Sequence, residues 1–324
     1  MKKLLLLLAL AFALLAAIVV VRTLQVGAEL PAVTPAAKAV VAADAAERLA
    51  GAIRIPTVSR ENTGDFDSAA FQALHDYLAT EFPRVHAELE RETVATHSLL
   101  YTWRGADPSS RPILLAAHLD VVPIEAGTEQ EWQEEPFDGA VVDNVVWGRG
   151  ALDDKSAAVG MLEAVEMLLA EDFSPTRTVY LAYGHDEEIG GVQGARAIAA
   201  LLESRGVKLE TVLDEGGAIV DGIVADIAAP IALVGVAEKG FVSVALGVRA
   251  AGGHSSLPTR ESAIGILSAA ITRLEERPMP ARLAGPTRKL LERIGPELPF
   301  PRRAALANLW ATAPLVVRNL ARNP

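Results

Sequence analysis

Four largely apolar runs in the sequence end in residues that could bind a metal or move protons. Residues 113–117 run into His118-Leu119-Asp120, 145–152 into Asp153-Asp154-Lys155, 179–184 into His185-Asp186-Glu187-Glu188, and Thr211–Leu213 into Asp214. His118 and Asp120, one residue apart on a strand, point to the same side. A carboxylate so placed accepts from the second imidazole nitrogen and fixes the tautomer, as outer partners of metal-bound histidines do. Asp153 and Asp154 precede a helix, where they read either as metal ligands or as acidic caps favoured by the helix dipole. Glu187 and Glu188 are adjacent carboxylates whose mutual repulsion is relieved by solvent or by a cation. With a cation, one ligates while its neighbour handles protons. An all-oxygen and nitrogen donor set of this kind, with a bridging aspartate, can hold two zinc ions about 3.5–4 Å apart.

The elements that must position these residues follow from periodicity. Parallel strands buried on both faces read as unbroken apolar runs, and open α/β sheets bind ligands beyond the carboxyl ends of their strands. Strands are expected at 97–103, 112–117, 177–183 and Thr211–Leu213, and helices at 42–53, 67–82, Lys155–Ala170 and 193–204. Alternation of strand and helix predicts an α/β fold with a mostly parallel sheet flanked by helices. From residue 241 the texture changes. An alternating strand at 241–248, a Gly252-Gly253-His254-Ser255-Ser256 turn and a helix at 261–276 read as a smaller α+β domain, followed by a Pro- and Arg-rich stretch at 278–324.

Composition excludes several classes. A net charge of −11 argues against a nucleic-acid binder. The chain has no cysteine, so disulfides and thiolate metal sites are impossible and any metal must use His, Asp and Glu. Lys2 and Lys3 precede an apolar run at 4–21, about 27 Å of helix and close to the hydrocarbon thickness of a bilayer. It reads as an uncleaved signal-anchor that places the rest of the chain outside the cytoplasm. The alternative is a signal peptide cut near Val26-Gly27-Ala28, releasing a secreted protein. The expected organisation is an anchor or signal segment at 1–22, a linker at 23–40, a catalytic domain at 41–240 and a lid or dimerisation domain at 241–324.

The motifs HLDVVP, WGRGALDDKS, YGHDEEIGG, VLDEGG, EKG and GGHSSLP occur in that order. Together they resemble the dinuclear zinc aminoacylase and carboxypeptidase family, in its carboxypeptidase S-type branch, which includes secreted N-acyl-amino-acid hydrolases. The resemblance spans roughly residues 45–275. It implies His118 and Asp214 on one zinc, Asp153 bridging, and Glu188 on the other. It further implies Glu187 as general base and acid, Asp120 orienting His118, and His254 as a lid histidine that stabilises the tetrahedral intermediate. Substrates would be peptides or N-acyl amino acids, and the inserted lid could form a homodimer. Two departures stand out. Ser156 occupies a position usually held by glycine, and no histidine follows His254, although the family takes its last zinc ligand from a histidine near the C-terminus. The resemblance therefore implies a chain that stops inside the lid, with the second zinc one ligand short of three. On that count an inactive, membrane-tethered binding module or pseudoenzyme is the alternative. A phosphoesterase ranks last, because no Arg/Lys clamp for phosphate is evident.

Overall fold

A computed structural model describes residues 2–27, 34, 36, 38, 40–60, 66–238, 240, 242–250, 252–254, 256 and 260–321. Parts of the 23–40 linker, Ala28 of the alternative cleavage site, Lys239 of the EKG motif, Phe241 and much of the GGHSSLP motif lie outside the described residues. In chain order the first elements are α1 (Lys2–Gln25), α2 (Ala45–Ile53), α3 (Ser68–Glu81), α4 (Pro83–Glu88), β1 (Glu90–Val94), β2 (Ser98–Trp103) and β3 (Ile113–His118). There follow β4 (Val141–Val142), β5 (Val145–Val146), α5 (Lys155–Ala170), β6 (Val179–Gly184), α6 (Ala195–Ser204) and β7 (Thr211–Leu213). The last are β8 (Ala218–Val220), β9 (Ile231–Leu233), α7 (Ala263–Glu276), α8 (Gly285–Ile294), α9 (Phe300–Ala307) and α10 (Leu309–Leu320). They divide into two compact units, Ala36–Glu215 and Met1–Pro35 with Gly216–Pro324.

The first of these carries a five-stranded sheet in the order β1-β2-β6-β3-β7. The α/β class holds, but the sheet is mixed. β3 pairs parallel with β6 and β7, while β2 pairs antiparallel with β1 and β6. β2 runs opposite to both of its neighbours, one of which, the edge strand β1, the periodicity misses. The β1 sequence Glu-Arg-Glu-Thr-Val is charged because it is an edge strand, where charge discourages further pairing. Side chains alternate across the sheet with period two. Leu99, Tyr101, Ala117, Leu181 and Tyr183 pack with α3 and α5 through Phe71, Leu74, Leu78, Leu162 and Val165. Leu100, Leu114 and Ala182 face the other way, onto Ile198 and Leu202 of α6. In the β3/β6 register His118 lies opposite Gly184, so the chemistry-bearing residues beyond both strands emerge side by side.

In the other unit, α1 is the one helix among the described residues long and apolar enough to cross a membrane, by length and composition. β8 and β9 form a two-stranded hairpin. The strand expected at 241–248 is not formed at 242–248, where the described backbone has no ladder partner; alternation alone cannot hold a strand that lacks a neighbour. The Pro- and Arg-rich stretch is helical instead, with prolines tolerated in the first turns of α8 and α9.

Candidate metal centre

His118 ends β3 with its ring buried. Its Nδ1 lies 2.9 Å from Asp120 O and 3.3 Å from Asp120 Oδ1, which makes Nδ1 the donor and leaves Nε2 for a ligand. Around Nε2 stand Asp153 Oδ1 at 2.9 Å, Glu215 Oε2 at 3.4 Å and Glu187 Oε2 at 3.9 Å. Two donor groups share His118, namely His118-Asp153-Glu188 and His118-Glu187-Glu215, each with ligand atoms within 4.8 Å of one another.

Asp120 is the brace of this arrangement. Fully buried, it accepts from Glu187 N–H and Glu188 N–H, both at 3.1 Å, and so grips the loop after β6 while orienting the ring before it. Thr57 Oγ1 donates to Leu119 O at 2.5 Å, and Ser59 Oγ donates to His185 O at 3.3 Å, so the segment after α2 spans the ends of β3 and β6. His185 shapes the loop. It is buried, and its ring nitrogens lie 2.6 Å from Ser98 Oγ and 3.2 Å from Thr96 Oγ1. Asp186 Oδ2 accepts Gln193 N–H at 2.8 Å and closes the loop that presents the two glutamates. Gly194 is required there, since a Cβ at that position would lie 2.6 Å from Asp186 Oδ1 and 3.0 Å from Gly184 Cα.

The Asp153-Asp154 pair divides its work, and the peptide between the two residues is cis. Asp153 extends to His118. Asp154 occupies the N-cap position of α5 but makes no side-chain capping bond, and its buried Oδ2 accepts His118 N–H at 3.3 Å instead. Lys155 is 1% exposed, and its Nζ donates to Ala52 O (2.9 Å) and Ile55 O (2.6 Å), tying the start of α5 to the end of α2.

The electrostatics are those of crowded acids. Burial pushes Asp154 up to about 7, with Glu215 adding to it. Burial likewise raises Glu187, Glu188 and Glu215, aided by neighbouring carboxylates and opposed by His118. Burial works against charge on His118, but Asp120, Glu215 and Asp153 overcome it and push the imidazole up to about 10. Such a donor set fits a divalent cation, which would take over the charge that His118 carries alone.

Of the residues singled out in the sequence, His118, Asp120, Asp153, Glu187 and Glu188 come together. Asp214 sits exposed beyond β7, with Oδ1 accepting Glu215 N–H at 3.0 Å, and belongs to neither donor group. Glu215 takes the place near His118. The signal for it in the sequence is the pair of adjacent acids in VLDEGG. His254 belongs to the other unit, where its exposed ring lies 2.8 Å from Ser256 Oγ. His97 is buried against Phe66 and Phe71, with Nε2 2.8 Å from Ser68 Oγ.

The profile of Peptidase family M20/M25/M40 matches residues 114–306, a segment that begins in β3 and holds every residue of both donor groups. The chain belongs to this family. N-fatty-acyl-amino acid synthase/hydrolase PM20D1 of Mus musculus is 43% identical over 281 residues, covering 86% of this chain and 55% of that protein. Carboxypeptidase S of Saccharomyces cerevisiae is 40% identical over 243 residues, covering 72% of this chain and 41% of that one. The chain thus spans about half the length of the curated relatives it matches. Among solved structures, the M20 family metallo-carboxypeptidase Sso-CP2 from Sulfolobus solfataricus is similar over 56% of this chain and 39% of that one, with a TM-score of 0.44 and 22% identity.

Proposed function

We propose that this M20 chain carries the metal-binding part of a zinc-dependent hydrolase that cleaves an amide bond beside a free carboxylate: a peptide C-terminus, a dipeptide or an N-acyl amino acid. The observation that carries this reading is the pair of donor groups sharing His118, with Glu187 and Glu188 locked by Asp120. His118, Asp153, Glu188 and Asp214 are the proposed ligands of two zinc ions, and Glu215 is added as a further candidate. Bound zinc would polarise the scissile carbonyl and make its water acidic near neutral pH. Glu187, raised by burial, takes the proton from the attacking water and returns it to the leaving amine. His254 is proposed to donate to the developing oxyanion, and the 241–324 segment to serve as lid and dimerisation surface. Helix α1 is proposed as an anchor that holds the rest of the chain outside the cytoplasm.

The test is Glu187→Gln, assayed against a panel of N-acyl amino acids and dipeptides with and without chelator. Metal content should be unchanged and turnover nearly abolished. Retained turnover would remove Glu187 as the base. One zinc or none in the wild-type chain, without turnover, would favour the binding-module reading.

A further inference from the structure

Within the unit formed by Met1–Pro35 and Gly216–Pro324, α9 packs against the second half of α1. On α1 the contact buries Thr23 completely, while Leu24 beside it is 68% exposed. Asn308, fully buried at the α9–α10 junction, donates through Nδ2 to Val19 O and Thr23 Oγ1, both at 3.3 Å, and Thr23 Oγ1 donates back to Val19 O at 2.6 Å. A polar pin thus fixes α9 and α10 to the end of the apolar helix remote from Lys2 and Lys3.

The outer surface of this pair is apolar and aromatic. Phe300 stands at the start of α9, Trp310 is 55% exposed and Leu315 62% exposed on α10, and Leu320 ends it. Trp310 still satisfies its indole N–H on Asn308 Oδ1 at 3.3 Å. The same stretch is basic. Within α9 and α10 stand Arg302, Arg303 and Arg318 and no acid, Arg302 being paired with Asp226 at 2.8 Å, in a chain whose net charge is −11.

We propose that α9–α10 is a membrane-seating element: it lies in the headgroup region of an anionic phospholipid bilayer beside the end of α1, with Trp310 and Phe300 at the acyl boundary. The proposal rests on α1 spanning the membrane. Three observations favour lipid as the occupant. The apolar surface is continuous with a helix whose own partner would be lipid. The basic excess complements anionic headgroups and would oppose a second copy of the same face. Tryptophan with an apolar ring and a polar edge is enriched at this depth. The seat would place a unit of the proposed hydrolase at the bilayer surface, where acylated amino acids partition.

The full chain is reconstituted in phosphatidylcholine/phosphatidylglycerol vesicles whose lipids are brominated at shallow or deep acyl positions. Tryptophan fluorescence should be quenched more by the shallow label. Most of that quenching should be lost in Trp310→Phe, because the chain's other three tryptophans, Trp103, Trp132 and Trp147, belong to the other unit. Replacing phosphatidylglycerol with phosphatidylcholine should weaken it. Carbonate extraction reads α1 separately. A chain that resists carbonate but shows no Trp310-dependent quenching overturns the seat while leaving the span intact. Release by carbonate overturns the span, and the seat beside it. Shielding of Trp310 that follows protein concentration rather than lipid assigns the face to a second copy and overturns the proposal.

Discussion

Asp120→Asn removes the brace of the site while keeping its shape. The carboxylate accepts two N–H groups, from Glu187 and Glu188 at 3.1 Å each, and lies 3.3 Å from His118 Nδ1. An amide offers one acceptor oxygen and one donor nitrogen, so one of those N–H groups must face an NH2 and lose its partner, at about 1–3 kcal/mol. His118 also loses the charge that polarises it. Loss of such outer partners lowers metal affinity about 10–100-fold, which is about 1.4–2.7 kcal/mol. Zinc competition against a chromophoric chelator should therefore shift by one to two decades, roughly. The metal-free protein gives an independent reading. Burial raises Asp120, but the hydrogen bond and charge of His118, with the Glu187 N–H, more than offset it and hold the carboxyl below its usual range. Its share of stability is present above the unfolded carboxyl value and is lost as pH falls through the folded one. His118, pushed from 6.5 to about 10, contributes stability that is complete below 6.5 and lost as pH rises to about 10. Wild-type apoprotein should weaken between those two values in urea titrations, and the variant should show a shallower alkaline limb. Unchanged zinc affinity together with an unchanged limb would refute the bracing role.

Lys155→Met leaves Ala52 O and Ile55 O without their donor. It should cost about 2–4 kcal/mol in urea unfolding, the removal of a desolvated cation offsetting part of the loss. Gly194→Ala drives a methyl to 2.6 Å from Asp186 Oδ1. It should destabilise by about 1–3 kcal/mol and weaken zinc binding, because Asp186 must release Gln193 N–H; an unaffected chelator titration would contradict that link. Arg48→Met strips both carboxylate oxygens of Glu163 of their guanidinium partner in a largely buried pair, with an expected loss of about 3–5 kcal/mol. The double variant with Glu163→Gln should recover part of it in thermal melts, and strict additivity would show that the two groups are not coupled.

What the sequence made legible is tied to where elements end. β3 and α5 lie within a residue of their apolar patterns and β6 ends within one of its own, so His118, Asp153, Glu187 and Glu188 fall at one edge from the sequence alone. What it hid depends on tertiary contact. Nothing in the sequence around Lys155 marks it as buried, and only the approach of α2 turns it into a buried clamp. Asp154 reads as a cap, and only the position of His118 N–H draws it away. The grip of Asp120 on the next loop requires the β3/β6 register that sets His118 opposite Gly184. β1 is not legible because its charged side chains suit an edge, where no apolar pattern is imposed.

The distribution of charge explains why the cluster reads as a cation site rather than a solvated acidic loop. An acidic loop in water leaves its carboxylates near their ordinary values. Here Asp154, Glu187, Glu188 and Glu215 are all raised, with burial as the leading cause in each. The positive group that lowers each of the four is His118, and it does so only while protonated. Lys155, the lysine nearest in sequence, has its ammonium turned onto two main-chain carbonyls of another segment. The fold thus gathers acids into a partly desolvated place and commits its adjacent lysine elsewhere. A divalent ion would balance that arrangement, and its binding must displace the His118 proton. Metal uptake at neutral pH should therefore release at least one proton, measurable by calorimetry in buffers of different ionisation enthalpy.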